Sequence, residues 1–371
     1  MKKLIVLLLI TTLLVACTQE GEPEDSQENA NNDGETEREN GDQTEEGNEE
    51  PEADFYLDTV TIDDQEVIEV EHLIDQVDGE YEYDETHRTL SMNIHEQEYY
   101  LIYGVPVLER NGLYLANEEI TIILDDDEIP HLPLSFLTEG LEADVMESDE
   151  EQLAFVYNDE AVEAIATNED PVDIHSMEVE EMIEYLSFLD YPIEDATVST
   201  VESHLPGAPR DYRNGYHEGI DWYDYASGVE ITTDTPIYGM AEGTVVRVDH
   251  GYEEFSSPEA RDEQLAHTAE LGFTPEYLLD RLRGQQVWVQ YDNGVMNRFA
   301  HLDDIPEGLK LGDQIDSETV IGYVGNSGTS GAVNQDDSGL HLHHDLLIYG
   351  EYFWEPFSLP EVKDVLLEIW G

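Results

Sequence analysis

Four histidines and one aspartate in the C-terminal half of the chain have the types and spacing of a catalytic metal centre: His217, Asp221, His301, His341 and His343. They fall in three short segments, His217-Glu218-Gly219-Ile220-Asp221, Phe299-Ala300-His301-Leu302 and His341-Leu342-His343. Zn²⁺ favours imidazole and carboxylate ligands, and a catalytic zinc keeps three protein ligands and one open position for water. Five donors exceed that need and leave two spare bases. Such a site lowers the pKa of a bound water towards about 7 and places a neutral histidine to take its proton, which is chemistry suited to hydrolysis.

The elements around these residues must position them. Alternate side chains of a strand share a face, so His341 and His343 point into one site and His344 points away, as a packing or surface residue. A straight strand would hold residues 217 and 221 about 13 Å apart, so the chain must bend between them. Gly219 is the residue that permits the bend. His217-Glu218 is not the start of a helical His-Glu-x-x-His motif, because position 221 is Asp and Gly219 weakens a helix. Glu218 is therefore expected on the surface. The Gly325 to Gly331 loop lacks the lysine of a phosphate-binding loop, shows no clear helix after it, and is read as a tight loop bordering the cleft. Tyr238 and Trp288 are read as core.

Strands are expected at 244–248, 286–291, 297–301, 320–324 and 339–347. A helical insertion, 253–284, separates the first two: Ser257-Pro258 starts a helix that Gly272 stops, and Thr274-Pro275 starts a second that Gly284 ends. Val362, Val365, Leu366 and Ile369 mark a C-terminal helix over 358–371, and Val179, Met182, Ile183, Leu186 and Leu189 mark one face of a connector helix within 159–204. Upstream, 55–158 reads as short strands plus a helix at 134–141. Leu90, Met92 and Ile94 alternate with polar residues, and Asn111-Gly112 signals a hairpin. His72, His95 and His131 are isolated and form no metal site. The fold class is α+β, with a small α+β N-terminal domain and a mainly antiparallel β C-terminal domain over 205–357.

The chain has 371 residues, an apolar fraction of 40% and 89 Asp+Glu against 14 Lys+Arg, a formal net charge of −75. Nucleic acid is excluded as a partner, because no basic surface exists to neutralise phosphates. The acidic excess runs through both folded halves and fits a high-salt environment, where the Debye length falls to about 3 Å at 1 M. Residues 17–54 have almost no apolar side chains and read as a disordered acidic tether. Lys2 and Lys3 precede an apolar run from Leu4 to Val15, which reads as an export signal over 1–16. The run ends in Leu14-Val15-Ala16-Cys17, which resembles a bacterial lipobox. That resemblance implies lipidation of Cys17, the single cysteine, and an extracytoplasmic lipoprotein tethered to the membrane.

Six ordered segments between 207 and 348 resemble the M23 family of zinc metallopeptidases, the lysostaphin or LytM type. They are Arg213 to Asp221, Thr235 to Tyr238, Ala241 to Val245, Arg298 to Leu302, Gly322 to Gly331 and Ser338 to His343. The resemblance implies one Zn²⁺ held by His217, Asp221 and His343, with His301 and His341 flanking the metal-bound water. It also implies an endopeptidase that cuts peptide cross-links of bacterial peptidoglycan through metal-bound hydroxide. Which of the two free histidines is the base stays open, with His341 favoured. His344 and Asp345 depart from the family pattern, as does the insertion, which is expected to wall the cleft. The alternatives are a catalytically silent wall-binding regulator of other hydrolases and a zinc carrier. Ile129 to Leu141 resembles the signature of copper amine oxidase-like N-terminal domains, here read as a wall-binding or spacer module without a copper site.

Overall fold

The computed structural model describes residues 53–117, 120–146, 152–157 and 171–371. The expected export signal, Cys17, nearly all of the acidic tether and the first residues of the connector lie outside the described residues. The fold is mixed α+β and built mostly from antiparallel sheets. No helix among the described residues is long and apolar enough to cross a membrane.

The N-terminal region packs a helix, Val70–Val77, against short antiparallel sheets through Val70, Leu73, Ile74 and Val77. In the strand Thr89–Ile94, Leu90, Met92 and Ile94 point inward, following the two-residue period of the sequence. The hairpin at Asn111-Gly112 places both residues at positive φ, 54° and 75°, as a tight two-residue turn requires. The short helix expected over Leu134 to Leu141 is present as one π-helical turn, Phe136–Gly140.

The C-terminal region is organised by one antiparallel sheet. Its strands run Ile220–Trp222, Leu342–Ile348, Val295–Ala300, Val287–Tyr291, Gly243–Val248 and Gln314–Ile315, and Glu351–Tyr352 pairs with Leu342–Ile348. One face carries Ile220, Trp222, Leu342, Leu346, Val295, Phe299, Val287 and Val289 into the main core. The helix Leu359–Trp370 joins that core through Val362, Val365, Leu366 and Trp370. Ser358 and Glu361 close its start by reciprocal capping. The connector helix Val179–Leu186 buries Met182 and Leu186 in the same core.

The opposite face is divided. At one end it carries Asp221, His343 and Asp345. Further along it carries Leu347, Met296, Trp288 and Val246, which pack against Ile102, Val105, Val107 and Tyr114 of the N-terminal region. The hairpin tip joins this contact: a Cβ at Gly112 would lie 2.5 Å from the Tyr349 carbonyl oxygen, so only glycine fits there. The insertion forms two helices, Pro258–Leu271 and Glu276–Leu282. Ser257 caps the first by accepting from the Ala260 N–H, and Gly272 ends it at φ 82°.

Candidate metal centre

Strand register brings the dispersed segments together. Asp221 pairs with His343, and Ala300, one residue before His301, pairs with His343 from the other side. The chain does bend between His217 and Asp221, but Gly219 serves by closeness rather than by an unusual φ. A Cβ there would lie 2.3 Å from the His344 carbonyl oxygen. The expectation that Glu218 is exposed fails. Its side chain is 12% exposed and pairs with the buried Arg213, which also donates to the Tyr216 carbonyl. This pair pins the turn that carries His217.

Three donor atoms converge. His217 Nε2 lies 2.9 Å from Asp221 Oδ1 and 3.1 Å from His343 Nδ1, and His343 Nδ1 lies 2.9 Å from Asp221 Oδ1. Their outer partners fix the rings. His217 Nδ1 donates to the Leu205 carbonyl at 3.0 Å, and His343 Nε2 donates to Asp345 Oδ1 at 2.7 Å. Each ring's remaining nitrogen therefore faces the carboxylate. Three electron-rich atoms at this separation need a shared positive charge. A proton satisfies one of the three contacts, whereas a metal cation satisfies all of them. The spacing is close to the roughly 3.3 Å edge of a tetrahedron with ligand distances near 2.0 Å. The residues present thus fit a zinc ion.

The two other histidines border the same point. His341 Nε2 lies 3.4 Å from Asp221 Oδ1, and the His301 ring lies 4.8 Å from that of His341. His301 Nδ1 donates to the Ser327 carbonyl and His341 Nδ1 to the Gly339 carbonyl, leaving the Nε2 of each as the free acceptor. His301 sits at φ 59°, an unusual conformation for a non-glycine residue at a functional site. His301, His341 and His343 also lie close enough to share a cation, and a third group, His175 with Glu351 and Glu355, is exposed.

Burial sets the electrostatics. It holds His301 well below the usual histidine range, and the neighbouring His341 and His343 add to the effect. Burial would raise the Asp221 carboxyl, but His217 and His341 outweigh it and keep the group ionised. Burial also disfavours the imidazolium of His343, but Asp345 and Asp221 together raise that ring to about 9. Asp345 itself is held low, against burial, by Arg283.

Residues 215–353 match the family model for Peptidase family M23. This segment is an M23 metallopeptidase domain. Among solved structures the chain is similar to LytU, at 22% identity over 45% of this chain and 79% of that one, with a TM-score of 0.25. The catalytic domain of the antimicrobial peptidase lysostaphin from Staphylococcus simulans is 18% identical over 43% and 82%, with a TM-score of 0.25. A zinc containing peptidase from Vibrio cholerae is 10% identical over 77% and 54%, with a TM-score of 0.28. A comparison with curated proteins finds no match.

The M23 domain also uses residues that spacing alone does not single out. Tyr223 stacks on His341 at 4.5 Å and 8°. Arg283, at the end of the insertion's second helix, holds two members of the site. Its Nε donates to Asp345 Oδ2 at 2.7 Å, behind His343, and its carbonyl accepts the His301 N–H at 2.8 Å. The insertion lines a cleft of about 840 Å³ through Arg261, Leu265, Leu279 and Leu282. The loop after Gly325 also borders this cleft, but it leads into a short helix, Ser330–Asn334, which the sequence did not signal. Trp288 is buried, and Tyr238 is only half-buried.

Proposed function

We propose that this chain is a zinc-dependent endopeptidase that hydrolyses peptide cross-links of bacterial peptidoglycan. His217, Asp221 and His343 are the ligands, and His301 and His341 are the catalytic bases. The observation that carries the reading is the convergence of His217 Nε2, Asp221 Oδ1 and His343 Nδ1 within 2.9–3.1 Å of one another. A zinc ion there supplies Lewis acidity and lowers the pKa of a coordinated water. His341 takes the proton from the attacking water, because its Nδ1 is held by the Gly339 carbonyl and its Nε2 is left to accept beside Asp221. His301, kept neutral by burial, orients the carbonyl side of the substrate. The water oxygen adds to the amide carbon, the C–N bond breaks, and the proton passes from imidazole to the leaving amine. Tyr223 limits rotation of the His341 ring by stacking.

The cellular setting belongs to the same proposal. Lipidation at Cys17 anchors the protein outside the cytoplasm, the acidic stretch spans the gap to the wall, and the domain at 55–158 acts as spacer or wall-binding module. Zymography on wall material, with and without a chelator, tests the activity. Chelator-sensitive clearing with new amino groups is the expected outcome. Wall binding without any new amino groups would replace the enzyme by a silent regulator. Palmitate labelling that Cys17→Ser abolishes tests the anchor.

A further inference from the structure

In a chain with 89 carboxylates and 14 basic residues, every arginine should be saturated by acid. Arg281 and Arg298 depart from that rule by lying over aromatic rings, and the cleft departs from it without such rings. Four arginines line it, Arg210, Arg213, Arg261 and Arg283, against three carboxylates, Asp211, Glu218 and Asp221. Two of these arginines are spent on structure. Arg213 pairs with Glu218, and Arg283 pairs with Asp345. The other two are not. Arg261 has no carboxylate partner among the described residues. It donates Nε to the Gly328 carbonyl at 2.9 Å, which leaves the end of its guanidinium unclaimed. Arg210 has one polar partner among the described residues, Asp221 Oδ2 at 3.4 Å, longer than an ordinary hydrogen bond. Asp221 is also the carboxylate that a metal would claim.

We propose that Arg210 and Arg261 form a carboxylate-recognition subsite, so that the preferred substrate is a peptide with a free carboxylate close to the scissile amide. This inference rests on the peptidase reading above. Guanidinium groups bind carboxylates through paired N–H donors, and a partly desolvated cleft strengthens such bonds. Arg210 reaches a ligand of the metal centre, so the carboxylate sits within about two residues of the attacked carbonyl, at 3.3–3.6 Å per residue. The body of the protein repels anions, and only a local cluster of positive charge can reverse that preference. A neutral substrate would leave the remaining N–H donors of both arginines without an anionic partner.

The test compares two preparations of one purified peptidoglycan, native and treated with carbodiimide and ammonia so that its free carboxylates become amides. Both are digested in 1 M NaCl, which screens the bulk repulsion. The subsite predicts that the native wall is cut about tenfold faster, the value of a charge-assisted pair. The net charge of the protein alone predicts the reverse order. Arg261→Gln, which touches none of the three metal ligands, should slow cleavage of the native wall only and bring the two rates together. Arg210→Gln should do the same. Equal cleavage of both walls by the unaltered protein overturns the subsite and leaves the peptidase intact. Equal slowing on both walls by Arg261→Gln also overturns it. If neither wall is cut, the peptidase reading fails. Co-sedimentation of the chelator-stripped protein with the two walls then decides the subsite, which requires tighter binding to the native one.

Discussion

His343 and His344 are neighbours on one strand and occupy opposite environments. His343 lies on the divided face of the central sheet, where both ring nitrogens have partners: Asp345 on one side, His217 and Asp221 on the other. His344 lies on the core face, fully buried among Trp222, Phe299 and Trp370, and neither ring nitrogen has a hydrogen-bond partner among the described residues. Burial lowers its pKa to about 3, so it stays neutral. The core face is thus mostly apolar, with His344 and Asn297 as buried polar members, and specifies packing. The other face is polar at the metal end and apolar where the N-terminal region covers it. Arg298 stands at the boundary: it pairs across strands with Asp345, donates to the Tyr114 hydroxyl at 3.1 Å and lies 4.4 Å over the Trp288 ring. A sheet that must expose a catalytic face can therefore cover the rest of that face with a second domain.

The largest expected contrast is between those two histidines. His343→Ala should abolish stoichiometric zinc binding and slow hydrolysis about a thousandfold or more, because the charge that stabilises the reacting carbonyl is lost. His344→Phe should keep one zinc and gain about 1 kcal/mol of stability by removing unpartnered polar atoms. Metal analysis with thermal melts distinguishes them, and equal zinc loss in both variants would erase the distinction between faces. Next is the domain-covered patch. Trp288→Ala should cost about 3–5 kcal/mol in denaturant unfolding while zinc content stays normal.

Arg283→Gln should weaken zinc binding by about 10–100-fold in chelator competition, because Asp345 loses the group that orients it behind His343. The smallest effect is electrostatic. Burial raises the Glu109 carboxyl in the contact between the N-terminal region and the sheet, although Tyr114 and Arg298 pull it down. A carboxyl raised in the folded state stabilises fully below its unfolded pKa, and that stability is lost as pH rises through the folded value. Glu109→Gln should therefore raise Tm at pH 8 and leave it unchanged at pH 4.

The sheet and the site segments were legible because both leave short-range marks. Alternation placed the strands to within a few residues, and the i, i+2 rule separated His341 and His343 from His344. Ser257-Pro258 and Gly272 bounded a helix because a cap and a positive φ are local demands. What stayed hidden depends on contacts distant in sequence. Glu218 looked like a solvated acid until Arg213 was placed beside it. Gly219 was chosen for the right turn but the wrong reason, since its neighbour, the His344 carbonyl, is 125 residues away. Arg283 and Tyr223 carry no spacing signal at all. The covered patch shared by Trp288 and Tyr114 was invisible because each strand's pattern is compatible with an ordinary core.

Anomalous diffraction at the zinc edge, from crystals of the full chain, tests the central claim most directly. The account predicts one dominant peak at about 2.0–2.2 Å from His217 Nε2, Asp221 Oδ1 and His343 Nδ1. A peak confined to the exposed His175, Glu351 and Glu355 group, with none between those three atoms, would contradict it.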